Sequence, residues 1–140
     1  MILGIGTDLV SVARFASWQQ YPLAKLERVF ANAELADCVM ADGSYEPEKL
    51  AVRFAAKEAF YKALSAALIE LNCTERSFSL LSISTFIAVI KSDPWQVPRL
   101  VVDWSSLEAL IGASLPPLSI HLSFSHERAM ALAFVIVSKA

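Results

Sequence analysis

The chain has 140 residues, of which 56% are apolar and 19% charged, and its formal net charge is −2. This length fits one compact domain, residues 1–140, and the charge argues against non-specific nucleic-acid binding, which needs a basic surface. The mean hydropathy of +0.50 is high, yet charges interrupt every apolar stretch before it reaches the about 20 residues of a membrane helix. We therefore expect neither nucleic acid nor membrane as a partner, and we expect the apolar surplus to be buried between subunits.

The beginning of the sequence lacks the basic region and the small-residue cleavage site of a secretory signal peptide. The two cysteines, Cys38 and Cys73, do not have the spacing of a metal site. Both observations predict a reduced protein of the cytoplasm.

The first predicted element is a strand from Ile2 to Val10, which contains Gly4 and Gly6. Glycines within a strand indicate that its backbone closely approaches another element. Asp8 is expected at or just past the end of this strand. A short helix follows and should end at Tyr21-Pro22, because the residue before a proline is disfavoured in helices.

Two more helices are predicted before the middle of the chain. Asn32 can cap a helix that extends to about Met40. The clearest helix begins at Pro47, a residue favoured in the first turn, and residues Glu48 to Leu68 contain neither glycine nor proline.

The second half of the chain is richer in strand patterns. Residues Leu81 to Val89 alternate between apolar and polar side chains and predict a strand. Arg99 to Asp103 predicts a shorter strand, and Leu107 to Ile111 a brief helix. Leu118 to Phe124 and Ala129 to Val137 predict two strands of a hairpin.

The charged residues of the long helix do not gather on one side. At 100° per residue, Lys49, Arg53 and Lys57 form one row, and Glu58 and Lys62 form another. A carboxylate and an ammonium thus project from a track of small apolar residues, where a phosphate could approach. The alternative is a helix-stabilising pair, worth about 0.3–0.5 kcal/mol.

Asp8 and Glu58 could together hold Mg²⁺, which commonly takes one or two carboxylates, waters and substrate phosphates. Arg53 and Lys57 would suit the remaining phosphate charge. Taken separately, an aspartate after a strand is typical of a turn, and basic residues on a helix are mostly solvated.

His126 follows Ser125 at the end of a predicted strand. Serine hydrolase chemistry is disfavoured, because Ser123 and Ser125 do not lie in a Gly-x-Ser-x-Gly elbow. A histidine that caps the hairpin turn is the alternative to a ligand contact.

Three segments, in this order, resemble the signatures of the holo-acyl-carrier-protein synthase family of 4′-phosphopantetheinyl transferases. They are Gly4-Ile5-Gly6-Thr7-Asp8 with Arg14, Arg53-Phe54-Ala55-Ala56-Lys57-Glu58-Ala59-Phe60 with Lys62, and Leu122-Ser123-Phe124-Ser125-His126-Glu127. The match spans nearly the whole chain, whose length resembles the single-lobed type of the family. It implies an α+β fold in which a small antiparallel sheet packs with a long central helix and shorter helices.

The resemblance also implies the reaction and its catalytic residues, Asp8, Glu58 and Lys62. Asp8 and Glu58 would bind Mg²⁺, and Lys62 would lie near the transferred phosphate. The enzyme would move 4′-phosphopantetheine from coenzyme A to a serine of apo-acyl carrier protein, in support of fatty acid synthesis. Glu58 or a metal-bound water could take the serine proton.

The implied binding residues form two groups. Arg53, Lys57, Ser125 and His126 would help to hold coenzyme A, in a cleft between neighbouring subunits of a homotrimer. Arg14 would belong to the basic surface that meets the acidic carrier protein.

The chain departs from the family's pattern at residues 91–98. Family members usually carry an Asn-x-x-Gly-x-Pro-like turn there, whereas this segment contains no glycine. No coenzyme A contact is carried over from this loop. The alternative function is a non-catalytic module that binds coenzyme A or a carrier protein, and the intact set of presumed metal ligands and lysine argues against it.

Overall fold

The computed structural model describes residues 1–91 and 93–140, and these contain two antiparallel sheets and one long helix. The strands are β1 (Ile2–Ser11), β2 (Ile87–Ile90), β3 (Arg99–Val102), β4 (Leu118–His126) and β5 (Met130–Lys139). The α-helices are α1 (Leu23–Leu26), α2 (Asn32–Cys38), α3 (Pro47–Glu70), α4 (Leu80–Ser84) and α5 (Trp104–Ile111), and Val12–Gln20 forms a 3-10 helix. The expected α+β architecture is confirmed.

The larger sheet has the strand order β1-β5-β4 and is antiparallel throughout. Its register places Asp8 opposite Ala133, which in turn lies opposite Phe124. Side chains alternate between two faces along each strand, and one face packs against α3. The predicted hairpin of the last two strands is confirmed.

Helix α3 lies across the inner face of this sheet and is buried along most of its length. Pro47 occupies its first turn as predicted. The sheet covers one side of α3, and the 3-10 helix, α2, α4 and β2 contact it elsewhere. Within residues 1–91 and 93–140, neither α3 nor any other helix combines the length and hydropathy needed to cross a membrane.

The predicted strand from Leu81 to Val89 is only partly correct. Its first half is helix α4, because Ser79 caps a helical turn: the Ser79 side chain accepts a hydrogen bond from the Ser82 amide at 3.2 Å. Only Ile87–Ile90 forms a strand, which pairs with β3.

Helix α2 differs from its prediction by one residue at its start and ends earlier, at Cys38. Ala31, and not Asn32, is the capping residue. The first turn is closed by the Glu34 carboxylate, which accepts a hydrogen bond from the Ala31 amide at 2.9 Å.

The loop that departs from the family's pattern is organised by Asp93. The Asp93 backbone carbonyl accepts a hydrogen bond from the Gln96 amide at 3.0 Å, and its side chain accepts one from the Val97 amide at 3.1 Å. Gln96, two residues before Pro98, has a φ of 54°, in the left-handed region that favours glycine. Ser92 of this loop lies outside the described residues.

Candidate active site

Strand β1 brings Asp8 against the long helix, where it meets Lys62. The Lys62 ammonium lies 3.0 Å from Asp8 Oδ1 and donates to the backbone carbonyl of Thr7 at 2.9 Å. Asp8 is 9% exposed, whereas the Lys62 side chain is 47% exposed. The arrangement holds the lysine beside the aspartate and leaves one of its three N–H donors available for a ligand.

Glu58 lies one turn before Lys62 on α3 and is within electrostatic reach of Asp8. Partial burial raises the pKa of Glu58, and the negative charge of Asp8 raises it further. The positive charges of Lys62 and Arg14 act in the opposite direction. The structure therefore brings together all three predicted catalytic residues, with Arg14 nearby.

The Oδ2 atom of Asp8 is the feature of this group that most needs a partner. It is buried and has no hydrogen-bond partner among the described residues. Buried polar atoms are normally satisfied. A side-chain hydrogen bond between Glu58 and Asp8 also raises the pKa of Glu58, but it needs a proton on one carboxyl group, so Glu58 cannot satisfy Oδ2 while both are ionised. A bound cation would satisfy Oδ2 and offset the repulsion between the two carboxylates, so this donor set fits Mg²⁺.

Across residues 1–91 and 93–140, no group of three or more His, Cys, Asp or Glu side chains is placed to hold a metal ion. Asp8 and Glu58 would supply two carboxylate ligands. Two protein ligands are typical of Mg²⁺, which commonly retains water ligands and also binds substrate phosphates.

The predicted close approach of the first strand is confirmed, and its partner is the backbone of α3. A Cβ atom added to Gly6 would lie 1.8 Å from the carbonyl oxygen of Ala59. One added to Gly4 would lie 2.0 Å from the carbonyl oxygen of Ala63. The strand thus lies directly on the helix backbone beside the site.

The prediction that Lys57 contacts coenzyme A is not supported, because its ammonium lies in the protein interior. It is 2.5 Å from the Glu34 carboxylate and donates to the carbonyls of Val29 at 2.6 Å and Ser84 at 2.9 Å. Lys57 and Glu34 are both fully buried. Burial lowers the pKa of Lys57, and the charge of Glu34 opposes this shift. All three donors are used inside the fold.

Arg53 is also internal, which corrects the second predicted contact from this row of α3. Its guanidinium forms an ion pair with Asp37 and donates to the carbonyl of Lys49 at 3.1 Å. Only 1% of the residue is exposed, and burial lowers its pKa. Arg53 therefore fastens α3 to α2 rather than presenting its charge at the surface.

The other two predicted coenzyme A contacts, Ser125 and His126, are exposed at the end of β4. The alternation of the strand sends them to opposite faces of the sheet. Ser125 lies opposite Leu132, on the face away from α3. His126 lies on the other face, with Nδ1 3.4 Å from the Glu48 carboxylate in the first turn of α3.

Arg14 projects from the 3-10 helix and is exposed. Its guanidinium lies over the aromatic ring of Phe54, 4.8 Å from the centroid, and 5.6 Å from that of Phe15. These contacts hold a positive charge at the rim of the site, on the side toward Glu58.

Sequence reasoning missed two residues that build this region. Thr7 contributes through its backbone carbonyl, which no side-chain pattern reveals. Glu34 could have been suspected, because a glutamate in the first turn of a helix commonly bonds the capping residue. Its second role as the buried partner of Lys57 depends on tertiary packing.

Comparison with known proteins gives a consistent result. Residues 4–101 match the family model of the 4′-phosphopantetheinyl transferase superfamily. The holo-[acyl-carrier-protein] synthase of Treponema denticola is 36% identical over 137 residues, which cover 98% of each chain. That of Treponema pallidum (strain Nichols) is 35% identical, over 98% of this chain and 96% of the relative.

Among solved structures, the ACPS-CoA complex of Chronobacterium ammoniagenes is similar with a TM-score of 0.74 and 28% identity, over 98% of this chain and 97% of that one. The matches confirm the resemblance inferred from the three sequence segments. The chain therefore belongs to the 4′-phosphopantetheinyl transferase superfamily, in its holo-[acyl-carrier-protein] synthase branch.

Proposed function

We propose that this chain transfers 4′-phosphopantetheine from coenzyme A to a serine of apo-acyl carrier protein, in support of fatty acid synthesis in the cytoplasm. The observation that carries the proposal is the convergence of Asp8, Glu58 and Lys62 in a chain of this family, with a buried oxygen of Asp8 left without a partner. A module that only bound coenzyme A would have no need of this arrangement.

The metal proposed for this site is Mg²⁺, held by Asp8 and Glu58. When bound, the cation would neutralise charge on the pyrophosphate of coenzyme A. Two carboxylates alone repel a pyrophosphate, and Lys62 adds only one positive charge. A bound cation would give the unpartnered Oδ2 atom of Asp8 a partner, and it would offset the Asp8 charge that helps to raise the pKa of Glu58.

In the proposed reaction the serine oxygen of the carrier forms a bond to the β-phosphorus of coenzyme A. The bond from that phosphorus to the bridging oxygen breaks, and adenosine 3′,5′-bisphosphate leaves with the bond's electron pair. The proton of the serine hydroxyl would pass to the Glu58 carboxylate or to water. Lys62, held by Asp8 and Thr7, would direct its remaining N–H donor at the charge that develops on the departing phosphate. Its partly exposed position suits this task.

The binding of coenzyme A is proposed to use His126 and Ser125, and not Arg53 or Lys57. The Glu48 carboxylate, 3.4 Å from His126 Nδ1, would orient the exposed imidazole, and the Nε2 side of the ring would contact a phosphate. Ser125 lies on the opposite face of the sheet from His126, so it would serve the cleft of a neighbouring copy.

Arg14 is proposed as a docking residue for the carrier protein. Acyl carrier proteins are acidic, and an exposed arginine at the rim of a site speeds encounter and helps to orient a partner of opposite charge. Stacking on Phe54 fixes the guanidinium in place, so less side-chain entropy is lost when the carrier binds.

We also propose a homotrimer. The outer face of β1 and β5 carries large apolar side chains that α3 does not cover, and five of them are 38–60% exposed: Ile5, Leu9, Met130, Leu132 and Phe134. An apolar sheet face of this kind is typical of a subunit interface. Association through it would bring Ser125, which lies opposite Leu132 on the same face, next to another subunit.

The proposed activity is tested by incubating the protein with apo-carrier, coenzyme A and Mg²⁺, and by weighing the carrier with mass spectrometry. We expect the mass of one phosphopantetheine to be added, and we expect excess chelator to abolish the addition. Asp8→Asn and Glu58→Gln should lower turnover about 10- to 100-fold, because each replaces a charged metal ligand by a neutral amide.

Arg14→Ala is the matched control for these variants. It should keep the same dependence on Mg²⁺ and raise the KM for the carrier, with a smaller effect as salt screens the contact. Full activity in excess chelator would contradict the metal site, and the absence of any transfer by the wild-type protein would contradict the function itself.

A further inference from the structure

The contact between β1 and α3 beside the active site leaves no space for a side chain. A Cβ atom at Gly6 would lie 1.8 Å from the Ala59 carbonyl oxygen and 2.8 Å from the Ala63 amide nitrogen. Neither Gly4 nor Gly6 has a positive φ among the described glycines. Glycine is therefore required here for space, and not for its backbone conformation.

We propose that Gly6 is a positioning residue of the active site, which sets the separation between Asp8 on the strand and Glu58 and Lys62 on the helix. The inference rests on the proposed function, because it concerns the residues assigned there to the metal and the phosphate. The inference adds Gly6, which contacts neither the metal nor the phosphate.

The contact residues and the site residues are neighbours in both elements. Gly6 and Asp8 are two residues apart on β1, so both face α3. On the helix, Ala59 directly follows Glu58 in sequence. The atoms that limit how closely the two backbones approach are thus adjacent to those that carry the carboxylates.

Asp8 has no means of compensating for a wider separation. Aspartate is the shortest acidic side chain, and its Oδ1 atom is already engaged by Lys62 at 3.0 Å. The strand is hydrogen-bonded to β5 on both sides of the contact, with Gly6 opposite Val135 and Asp8 opposite Ala133. A push at Gly6 would therefore move Asp8 as well.

The expected displacement is large for an active site. The 1.8 Å contact is about 1 Å shorter than β-carbons tolerate, and a misplacement of about 1 Å can cost 100-fold in catalysis. Functional groups need to be held within about 0.5 Å of the productive geometry. One methyl group at position 6 would exceed that tolerance without touching any ligand.

Gly4 provides a matched control within the same strand. A Cβ atom there would lie 2.0 Å from the Ala63 carbonyl oxygen and 3.0 Å from the Ala67 amide nitrogen. The steric conflict is similar, but it lies one residue pair further from Asp8, at the residue after Lys62 and not beside either presumed metal ligand. A purely structural role predicts equal effects of alanine at both positions, whereas the positioning role predicts unequal effects on the site.

The experiment measures Mn²⁺ affinity by electron paramagnetic resonance, with and without saturating coenzyme A and without carrier, so that no turnover occurs. Thermal unfolding of each variant is recorded in parallel. We expect Gly6→Ala to weaken Mn²⁺ binding about tenfold or more, the range seen when support for metal ligands is lost. Gly4→Ala should weaken it less than about threefold for a comparable loss of Tm.

A second variant, Asp8→Glu, tests the same spacing without adding atoms to the contact between Gly6 and α3. It keeps the ligand chemistry and adds one methylene, so in the wild-type spacing it should weaken Mn²⁺ binding. In the Gly6→Ala background, where the strand lies further from the helix, the same change should restore part of the affinity. If Gly6→Ala alone does not fold, Asp8→Glu by itself still tests the fixed spacing that the proposal requires, and unchanged Mn²⁺ affinity would contradict the proposal.

The outcomes distinguish failure of the proposed metal site from failure of the positioning role of Gly6. If wild-type protein does not bind Mn²⁺, or if Asp8→Asn binds it as tightly, the proposed metal site is wrong. If the wild type binds Mn²⁺ but Gly6→Ala binds equally well, or Gly4→Ala loses as much affinity, only the positioning role is overturned. Wild-type affinity in Asp8→Glu would likewise overturn it.

Discussion

Lys57 places an ammonium where water does not reach, one residue before a proposed metal ligand. Glu34 and two backbone carbonyls surround it, and the second oxygen of Glu34 accepts a hydrogen bond from the Val89 amide at 3.0 Å. The pair thereby joins α3, α2 and β2 in the interior. A buried ion pair of this kind adds little net stability, but the loss of one member leaves the other charge unpaired.

We expect Lys57→Met to lower the free energy of unfolding by about 3–5 kcal/mol, because it strands the Glu34 carboxylate. The KM for coenzyme A should stay unchanged in the folded variant. Denaturant unfolding and steady-state kinetics measure the two effects. The double variant Lys57→Met/Glu34→Gln should recover part of the stability. A large rise in the KM of Lys57→Met for coenzyme A, with little loss of stability, would instead support a direct contact between Lys57 and coenzyme A.

The two cysteines should differ in reactivity. Burial raises the pKa of Cys38 to about 12, and the charge of Glu34 adds to this. Cys73 is only partly buried. At pH 8 a thiol reagent should therefore modify Cys73 alone in the native protein and both cysteines after denaturation. Rapid modification of native Cys38 would mean that the core around α2 opens readily.

The same shift predicts a dependence of stability on pH. The pKa of Cys38 in the folded protein lies above its ordinary value of 9.0. Below pH 9 the thiol is therefore neutral in both the folded and the unfolded protein, and its ionisation does not reduce stability. Above pH 9 the unfolded thiol ionises first, and stability should fall until the pH reaches about 12. Cys38→Ala should remove this part of the slope, while Cys73→Ala should keep it.

At the scale of elements, local patterns predicted the strands and helices that touch the site. The glycines of β1 predicted a close backbone contact, and Pro47 predicted the start of α3. The burial of Arg53 and Lys57 could not be predicted, because α3 is covered on several sides. A helical wheel separates its rows of residues without telling which row meets solvent.

The strand predicted over Leu81 to Val89 illustrates a second reason. Alternation of polar and apolar residues is compatible with a short helix when a serine precedes it, and the hydrogen bonds between Ser79 and Ser82 select the helix. The outcome depends on which backbone groups find partners, and hydropathy does not record that.

The loop around Gln96 offers a prediction at this scale. A residue other than glycine in the left-handed region costs roughly 1–2 kcal/mol, and Gln96 has a φ of 54°. We expect Gln96→Gly to raise the free energy of unfolding by up to about 1 kcal/mol. The gain is reduced by the loss of the hydrogen bond that the Gln96 side chain donates to the Asp93 carbonyl. Gln96→Ala, which keeps the strain, is the control, and an equal gain from both variants would contradict the strain.

The larger sheet combines an inner face that carries Asp8 and packs on α3 with an apolar outer face. Residues on the inner face of β1 and β5 are small or buried, whereas the outer face exposes leucine, isoleucine and phenylalanine. Composition alone indicated that apolar surface would be left over. Which surface carries it follows only from the register of the strands.

We expect the protein to be trimeric in light scattering, and we expect Leu132→Glu/Phe134→Glu to dissociate it, because charges on this face oppose association. The dissociated variant should also lose transfer activity, since the cleft is proposed to lie between subunits. Ile69→Glu is the matched control, because Ile69 is 64% exposed and lies in the last turn of α3, not on a strand. A stable, active monomer would rule out the interface.

The pairing of β1 with β5 has a consequence for the order of events during synthesis. Among the described residues, the strand that carries Asp8 pairs only with residues 130–139, and the Met1 carbonyl accepts a hydrogen bond from the Lys139 amide at 3.0 Å. In a nascent chain β1 leaves the ribosome before β5. The strand that carries Asp8 therefore cannot pair with β5 until residues 130–139 have been translated.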